Sequence, residues 1–332
     1  MRVNTRAVTD CEKRHRKGDG RNVLKVQASE VPIPPELVSL PTIKAEPWLL
    51  VDPSPDIALE GPAFDRKGNL YITSYRAGMV YKITPTKQKT IVFTDKNVRP
   101  DGIAIHKDGR LFTACTTGEL LVMNPDGGKV TYITPKYQDK SISMNDLVFD
   151  SKGNLYVTDW KGTVPDPTGG VYRLLAPDYT AVQPVLQHLA GPNGISLSPE
   201  GNTLWIGETL RNAVLRIDLM PDGLTVKPVA GVTYPYYSTG GPGGPDSNKV
   251  DIEGNLYQCM VYQGRALILN KRGIPIANVV IPGRDEGKHL GSPNLAFKPG
   301  TSEVYIEGSG EGGAMIFKFK GLAKGLPLFS HQ

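Results

Sequence analysis

Five polar residues in this sequence stand at the same distance from a strand-like segment, and each carries a side-chain oxygen. Each lies eight residues before a glycine that opens a run such as Gly-Asn-Leu-Tyr. We call them the marker residues: Glu60, Asp101, Asn145, Asn193 and Asp246. The intervals between them are 41, 44, 48 and 53 residues, so the chain repeats in units of similar length.

Four of the marker residues, Glu60, Asn145, Asn193 and Asp246, could together bind a metal ion. Their ligand atoms would be the oxygens of two carboxylates and two amides, which suit calcium better than magnesium or manganese. Zinc is disfavoured because no His or Cys occupies a marker position. The two negative charges would neutralise one divalent ion. The remaining coordination positions would stay open to water and substrate, as Lewis-acid catalysis requires.

The alternative for any single marker residue is a turn cap, a role that Asp and Asn often have. Recurrence at one offset favours a shared site if the units converge in space. Asp101 has the weakest support, because its segment Arg99-Pro100-Asp101-Gly102 could be only a turn.

Repeats of this length are typical of the four-stranded blades of a β-propeller. In the third unit, strand-like segments flank the turn at 150–153, and two more follow at 170–174 and 183–186. A degenerate sixth unit begins near Ser292-Pro293-Asn294. The sequence therefore predicts an all-β fold, a six-bladed propeller with four-stranded blades. Since the first strand of each blade lines the central channel, the marker residues should converge at the channel mouth.

The sixth unit is one strand short. Strand-like segments stand at 295–298, 303–307 and 314–319, without a convincing fourth. The segment 46–51, just before the first marker residue, is the expected donor of the outer strand. This pairing would close the ring and protect sheet edges that would otherwise be exposed.

Residues at the ends of the second strands, and in the longest connections, should form the walls of a substrate pocket. The predicted pocket residues are Tyr75, Asp101, Trp160, Tyr236, Tyr237 and His289. The aromatic members would favour an apolar substrate, although core or lid packing is the alternative for each. His289 would lie at the rim, where a histidine can serve as an acid or a base.

Composition limits the wider possibilities. Residues 1–42 read as a disordered or loosely attached arm that holds much of the net charge of +5, and residues 43–332 form the propeller domain. The mixed charges of the body argue against nucleic-acid binding. No apolar run is long enough to span a membrane, and Cys11, Cys115 and Cys259 fit neither a disulfide framework nor a zinc site. A cytoplasmic protein with reduced thiols is expected, and the oligomeric state is open.

The marker segments resemble those of the calcium-dependent lactonase propellers in the gluconolactonase and regucalcin (SMP-30-like) family. The similarity runs through most of residues 55–329 and is closest to the bacterial drug-responsive lactonase branch. It rests on these segments: Leu59-Glu60-Gly61-Pro62, Met144-Asn145-Asp146, Pro192-Asn193-Gly194, Gly244-Pro245-Asp246-Ser247, Pro235-Tyr236-Tyr237, 270–276, 281–287 and 321–325.

The resemblance implies a catalytic calcium ion and one residue with two roles. It assigns Glu60, Asn145, Asn193 and Asp246 as ligands with Ser247 beside them, and makes Asp246 the proton-transfer residue as well. Three departures accompany it. Ser143 stands where sugar-lactone members have an arginine, which weakens an aldonolactone assignment. Asn145 replaces an aspartate of the drug-responsive branch. The insertion that binds that branch's second calcium is not found at 114–118, which argues against a second, structural ion.

The expected activity is hydrolysis of a lactone ring, of an aromatic or alkyl lactone rather than a sugar lactone. The carbonyl would be polarised by calcium, and Asp246 would activate water or return the proton to the leaving alkoxide. Two alternatives remain: a hydrolase for phosphotriesters or other esters that uses the same site, and a non-catalytic calcium-binding propeller.

Overall fold

The computed structural model describes Ser29, residues 31–238 and residues 241–331. Two strands precede the repeats: β1 (Thr42–Lys44) and β2 (Glu46–Asp52). The first blade contains β3 (Leu59–Phe64), β4 (Leu70–Ser74), β5 (Met79–Ile83) and β6 (Lys89–Thr94). The second contains β7 (Pro100–Ile105), β8 (Leu111–Cys115), β9 (Leu120–Met123) and β10 (Thr131–Ile133). A separate hairpin follows, made of β11 (Lys136–Tyr137) and β12 (Lys140–Ser141).

The remaining strands form four further sheets. The third blade contains β13 (Met144–Phe149), β14 (Leu155–Asp159), β15 (Gly169–Leu174) and β16 (Val182–Leu189). The fourth contains β17 (Pro192–Leu197), β18 (Thr203–Glu208), β19 (Ala213–Asp218) and β20 (Val232–Tyr237). The fifth contains β21 (Pro245–Val250), β22 (Leu256–Met260), β23 (Arg265–Leu269) and β24 (Pro275–Val280). The sixth contains β25 (Leu295–Phe297), β26 (Glu303–Gly308) and β27 (Ala314–Lys320), with β2.

These sheets close into a ring. Each innermost strand contacts the innermost strand of the next blade, and β25 of the sixth blade contacts β3 of the first. Strand β2 pairs antiparallel with β27 and completes the sixth blade. The predicted six-bladed propeller and its closure by an N-terminal strand are therefore confirmed.

Short 3₁₀ turns are the helical elements of the described chain. They are Pro35–Leu37, Thr209–Arg211, Arg284–Glu286 and Phe329–His331. None of the helices in this part of the chain has the length and apolar character that a membrane crossing needs.

A local hydrogen-bond pattern explains the repeated Gly-Asn-Leu-Tyr runs. In the first blade, Asp65 Oδ1 accepts from the backbone N–H of Lys67 and of Asn69, both at 2.8 Å. The Asn69 Nδ2 atom donates to Asp65 Oδ2 at 2.7 Å, and Gly68 takes the positive φ of 78° that the turn needs. Asp150 and Asp251 make the same contacts in the third and fifth blades. The turn between first and second strands is therefore specified by residues that are close in sequence.

The core is divided into six clusters, one between each pair of adjacent blades. Each second strand contributes a buried aromatic side chain near its start: Tyr71, Phe112, Tyr156, Trp205, Tyr257 and Tyr305. The free energy gained on burial is proportional to the apolar area removed from water. These large rings therefore stabilise the packing of adjacent blades.

The chain before the first repeat packs on the fifth blade. Strand β1 pairs in parallel with β24 and adds a fifth strand to that sheet, which the sequence did not predict. Leu37 is buried beside Trp205, and its carbonyl accepts from Asn278 Nδ2 at 2.9 Å. Residues 31–44 are thus attached to the propeller. The rest of the arm, apart from Ser29, lies outside the described residues.

Candidate metal centre and active site

The marker residues lie where the pairing between first and second strands is interrupted. Register shifts occur in five of the six blades, between Glu60 and Ala63, Pro100 and Ile103, Met144 and Leu147, Pro192 and Ile195, and Pro245 and Asn248. A β-bulge frees residues from the ladder and redirects their side chains. Each bulge is adjacent to a marker residue or contains it, and all five marker residues are buried at this end of the channel.

Glycine after the marker lets neighbouring inner strands approach closely. Gly61 has a φ of +63°, and a Cβ atom there would lie 2.1 Å from the carbonyl oxygen of Asp101. A Cβ atom on Gly194 would lie 2.3 Å from the Cα of Ser247. In the third and fifth blades this position holds Asp146 and Ser247 instead. The inner strands are therefore close enough for side chains of adjacent blades to share one site.

Glu60 is buried and accepts two hydrogen bonds through one oxygen. The backbone N–H of Gly61 and the Nδ2 atom of Asn294 each donate to Glu60 Oε2 at 3.2 Å. Burial, with a further contribution from the charge of Asp146, raises the pKa of Glu60 to about 8. Asn294 belongs to the sixth unit, so Glu60 joins the first and last blades.

Asp101 and Asn145 form a second contact between adjacent blades. Asn145 Nδ2 donates to Asp101 Oδ2 at 3.2 Å. The backbone carbonyl of Asp101 accepts from Thr73 Oγ1 at 2.9 Å. Burial and the charges of Glu60 and Asp246 raise the pKa of Asp101 well above its usual range. The marker residue with the weakest support from sequence is therefore in direct contact with an expected metal ligand.

Asn193, Asp246 and Ser247 form the third contact. Ser247 Oγ donates to Asn193 Oδ1 at 3.4 Å, and the Asn193 side chain is hydrogen-bonded to Asp246. Gln258 Nε2 holds the backbone by donating to the carbonyls of Asp246 at 2.8 Å and Ser247 at 3.2 Å. Burial and the charge of Glu60 raise the pKa of Asp246 well above its usual range.

Two charged residues beneath this layer were not identified from the sequence. Asp146 is buried and accepts from Lys249 Nζ at 3.3 Å, which joins the third and fifth blades across the channel. Asp146 also accepts from the backbone N–H of Leu147 at 2.9 Å and of Ile195 at 3.3 Å. This carboxylate is therefore fully engaged. The available sequence signal was its place next to Asn145, on the bulge.

Three oxygens of the marker layer lack a hydrogen-bond donor among the described residues. They are Asp101 Oδ1, Asn145 Oδ1 and Asp246 Oδ1. Buried acceptors without partners are costly, and those that occur in a folded protein call for an explanation such as a bound ion. All three are hard oxygen atoms and none can donate in its charged or amide-oxygen form. The donor set therefore fits a hard divalent cation such as calcium.

Within the described residues, no three His, Cys, Asp or Glu side chains are placed to hold a metal ion. The expected set contains only two residues of these types, Glu60 and Asp246. Its other members, Asn145, Asn193 and Ser247, would contribute amide and hydroxyl oxygens. The set is thus of the mixed carboxylate and neutral-oxygen kind that calcium accepts.

The predicted pocket residues lie in different surroundings. Tyr75 and Trp160 are half-buried at the exits of β4 and β14, with Arg99 over the Tyr75 ring at 5.8 Å. Tyr237 is exposed and lies 5.4 Å from the ring of Tyr234. Tyr236 packs in the core between the fourth and fifth blades.

His289 is buried next to the sixth blade. Its Nδ1 atom lies 3.2 Å from the carbonyl oxygen of Gly313, and its ring meets Phe317 edge-on at 5.1 Å. Burial lowers the pKa of His289 below its usual value, which favours the neutral imidazole. A neutral ring can hydrogen-bond through either nitrogen.

A cavity of about 890 Å³ occupies the other end of the channel. It is lined by the ends of the inner strands, including Phe64, Phe149 and Val250, and by residues 325–331. Lys249 lines it as well, whereas the five marker residues do not. The marker layer therefore lies above this cavity, and the cavity volume does not locate the chemistry.

Residues 58–286 match the sequence profile described as "SMP-30/Gluconolactonase/LRE-like region". The match covers more than half of the chain and includes all five marker residues. The chain belongs to this family. The family resemblance predicted from the marker segments is thus confirmed.

Relatives within the SMP-30/gluconolactonase family agree with this membership. A protein of Staphylococcus aureus named lactonase drp35 is 42% identical over 315 residues, which cover 92% of this chain and 95% of the relative. A calcium-binding protein, regucalcin, from Agrobacterium tumefaciens has a structure with a TM-score of 0.69 at 19% identity, covering 86% of this chain and 98% of that one. A gluconolactonase from Xanthomonas campestris gives a TM-score of 0.65 at 19% identity, covering 82% and 88%. The two structures support the fold.

Proposed function

We propose that this protein is a calcium-dependent lactonase, acting on aromatic or alkyl lactones. The observation that carries the proposal is the group of buried, donor-free oxygens on Asp101, Asn145 and Asp246, in a chain whose relatives are named lactonases. Glu60, Asn145, Asn193, Asp246 and Ser247 would hold one calcium ion. When bound there, the ion would polarise the carbonyl of a lactone.

Asp246 is the proton-transfer residue in this proposal. Its Oδ1 atom has no donor in the described structure and would accept a proton from water as the water oxygen bonds to the carbonyl carbon. The bond from that carbon to the ring oxygen then breaks, and the same carboxyl group returns the proton to the ring oxygen. The product is the open hydroxy acid, and Asp246 is restored.

The high pKa of Asp246 is consistent with a proton carrier that needs a neighbouring positive charge. Burial and the charge of Glu60 favour its protonated form. A nearby cation favours the carboxylate, which is the form that accepts a proton. Gln258 fixes the backbone of Asp246, so the oxygen has a defined position for this transfer.

The substrate preference follows from the pocket wall. Ser143 provides no positive charge, and its hydroxyl is tied to the carbonyl of Thr116 at 2.7 Å. Tyr75, Trp160 and Tyr237 would supply the aromatic surface. His289 is buried next to the sixth blade, so its contact with substrate stays a prediction. We do not include Tyr236, because its ring packs between blades. The cytoplasmic location and the assignment of residues 43–332 as the catalytic domain also remain predictions.

One assay panel tests the proposed function. Dihydrocoumarin, an alkyl lactone and a sugar lactone are compared with an aryl ester and a phosphotriester, each with calcium and with a chelator. We expect turnover of the first two that chelator abolishes and calcium restores. Chelator-sensitive turnover of only the phosphotriester or aryl ester would favour a different hydrolase. Calcium binding without any turnover would favour a non-catalytic propeller.

A further inference from the structure

One position of the repeat holds a different kind of residue in the sixth blade. It lies two residues after the buried aromatic side chain of each second strand. The residues there are small in the first five blades and acidic in the last: Thr73, Ala114, Thr158, Gly207, Cys259 and Glu307. Glu307 is therefore the large, charged member of an otherwise small set.

This position faces the marker residue of the next blade. Thr73 Oγ1 donates to the carbonyl of Asp101 at 2.9 Å, and Thr158 Oγ1 donates to the carbonyl of Asn193 at 2.5 Å. A Cβ atom on Gly207 would lie 2.3 Å from the carbonyl oxygen of Asp246. Three blades thus show the same relation between second strand and neighbouring marker.

By the same relation, Glu307 faces Glu60. The sixth blade closes on the first, and β26 contacts β3. Burial, with a further contribution from the charge of Glu60, raises the pKa of the Glu307 carboxyl group well above its usual range. The contact between β26 and β3, together with the relation seen in the other blades, therefore places Glu307 next to the marker residue Glu60.

Glu307 has no hydrogen-bonding role that would explain a buried carboxyl group. Its residue exposure is 1%, and neither Oε1 nor Oε2 has a partner in the described part of the chain. Lys249, the nearby cation, is already paired with Asp146. A buried carboxyl group without hydrogen-bond donors destabilises a fold, and a nearby positive charge would offset that cost.

We propose that Glu307 lies beside the cation centre and, without being a ligand itself, supplies negative charge to a divalent cation of the calcium type. This role agrees with the described residues, in which no three His, Cys, Asp or Glu side chains are placed to hold one ion together. The proposal rests on the calcium-binding part of the proposed function and adds to it a residue that the marker pattern did not include. It explains why a small residue is replaced by glutamate in the blade that closes the ring.

The test is calcium binding by the whole protein, after chelator treatment, measured by titration calorimetry. Glu307→Gln keeps the shape and removes the charge, and we expect the calcium Kd to rise by about tenfold or more. The matched control is Glu303→Gln, on the same strand, which removes an equal charge from a partly exposed residue paired with Lys298. We expect the control to change Kd by less than about twofold, because exposed charges are screened.

Stability without calcium distinguishes this role from a structural ion pair with Lys249. If Glu307 supplies charge to the cation, Glu307→Gln removes the cost of burying a carboxyl group that has no partner, and the Tm of the chelated protein should rise by about 2 °C or more. A fall in Tm with unchanged Kd would overturn the proposal. Glu307→Thr is a second variant, since threonine occupies the same position in two other blades and should fold there. It should also bind calcium about tenfold more weakly.

The outcomes distinguish a failure of the role of Glu307 from a failure of calcium binding as such. If the unchanged protein binds calcium and both Glu307 variants retain its affinity, only the role of Glu307 is overturned. If the unchanged protein binds no calcium, the proposed function is overturned as well.

Discussion

The two ends of the central channel are built from the same inner strands but differ in pairing and polarity. At the starts of these strands, bulges interrupt the ladder, and acceptors such as Asp101 Oδ1 and Asp246 Oδ1 are buried without donors. At their ends, pairing is regular, and side chains such as Phe64 and Phe149 line a cavity. The polar end carries the features of a binding site, whereas the apolar end resembles a packed core with a gap.

Cavity volume alone is therefore a poor guide to the functional site of this molecule. The cavity of about 890 Å³ lies at the apolar end, where the lining combines apolar side chains with charged ones such as Lys152 and Glu200 but includes none of the five marker residues. The marker layer has costly features that the fold itself does not need. Buried acceptors without donors are expected at functional sites, because such sites depart from the packing and hydrogen bonding that stabilise the rest of a fold.

The largest effect on activity should come from a substitution of Asp246 at the polar end. Asp246→Asn keeps the side-chain shape but removes the proton acceptor, so kcat for a lactone should fall by about 10²–10⁴-fold. Steady-state kinetics with saturating calcium would measure this change. Glu303→Gln serves again as the charge-matched control. Full activity in Asp246→Asn would refute its role even if the protein remained a lactonase.

A change at the apolar end should affect stability and leave the site intact. Phe149 is buried and lies 5.1 Å from the ring of Phe112 and 5.3 Å from that of Phe329. Phe149→Ala should lower the free energy of unfolding by about 3 kcal/mol, because it enlarges an existing cavity and removes apolar contacts. Denaturant unfolding would measure the loss. A tenfold change in calcium Kd would contradict the separation of the two ends.

The polar end should also make stability depend on pH when calcium is removed. The pKa of Glu60 is raised from 4.5 to about 8, so between these values the folded protein holds a proton that the unfolded chain has lost. The free energy of unfolding should therefore fall as pH rises from 4.5 to about 8. Thermal unfolding at several pH values, with chelator, would detect the slope.

Two further measurements test the origin of this pH dependence, one with calcium present and one with the variant Glu60→Gln. Calcium should flatten the slope, since a bound cation favours the charged carboxylate at all these pH values. Glu60→Gln should remove the part of the slope that Glu60 contributes in chelator. An unchanged slope in that variant would assign the effect to other buried carboxyl groups.

The sequence predicted the architecture well because its main signals are local. The turn formed by Asp65 and Asn69 recurs in other blades and marks where each first strand ends and each second strand begins. The closing strand β2 was predicted from the same count of strands. Strand β1 was missed because it pairs with β24, more than two hundred residues away, and nothing in the short segment 42–44 signals that partner.

The composition of the site was harder to predict than its position. The marker offset located the layer, and the structure brings Asp101 against Asn145 and Asn193 against Asp246 and Ser247. Glu307 was missed because the offset was counted only on first strands, whereas this residue lies on a second strand. Aligning the aromatic positions of the six second strands would have revealed it. The roles of the marker residues in catalysis remain predictions.

The smallest expected effect concerns the position that Glu307 shares with Thr73. In the first blade, Thr73 Oγ1 donates to the Asp101 carbonyl, so this position supports the next marker through one neutral hydrogen bond. Thr73→Val removes the donor and keeps the side-chain volume, which should cost about 1 kcal/mol of stability, measured by denaturant unfolding. Calcium Kd should stay within about twofold, because no charge is lost. If Thr73→Val weakened calcium binding as much as Glu307→Gln, the position would act in both blades by holding the marker backbone. The charge of Glu307 would then lose its special role.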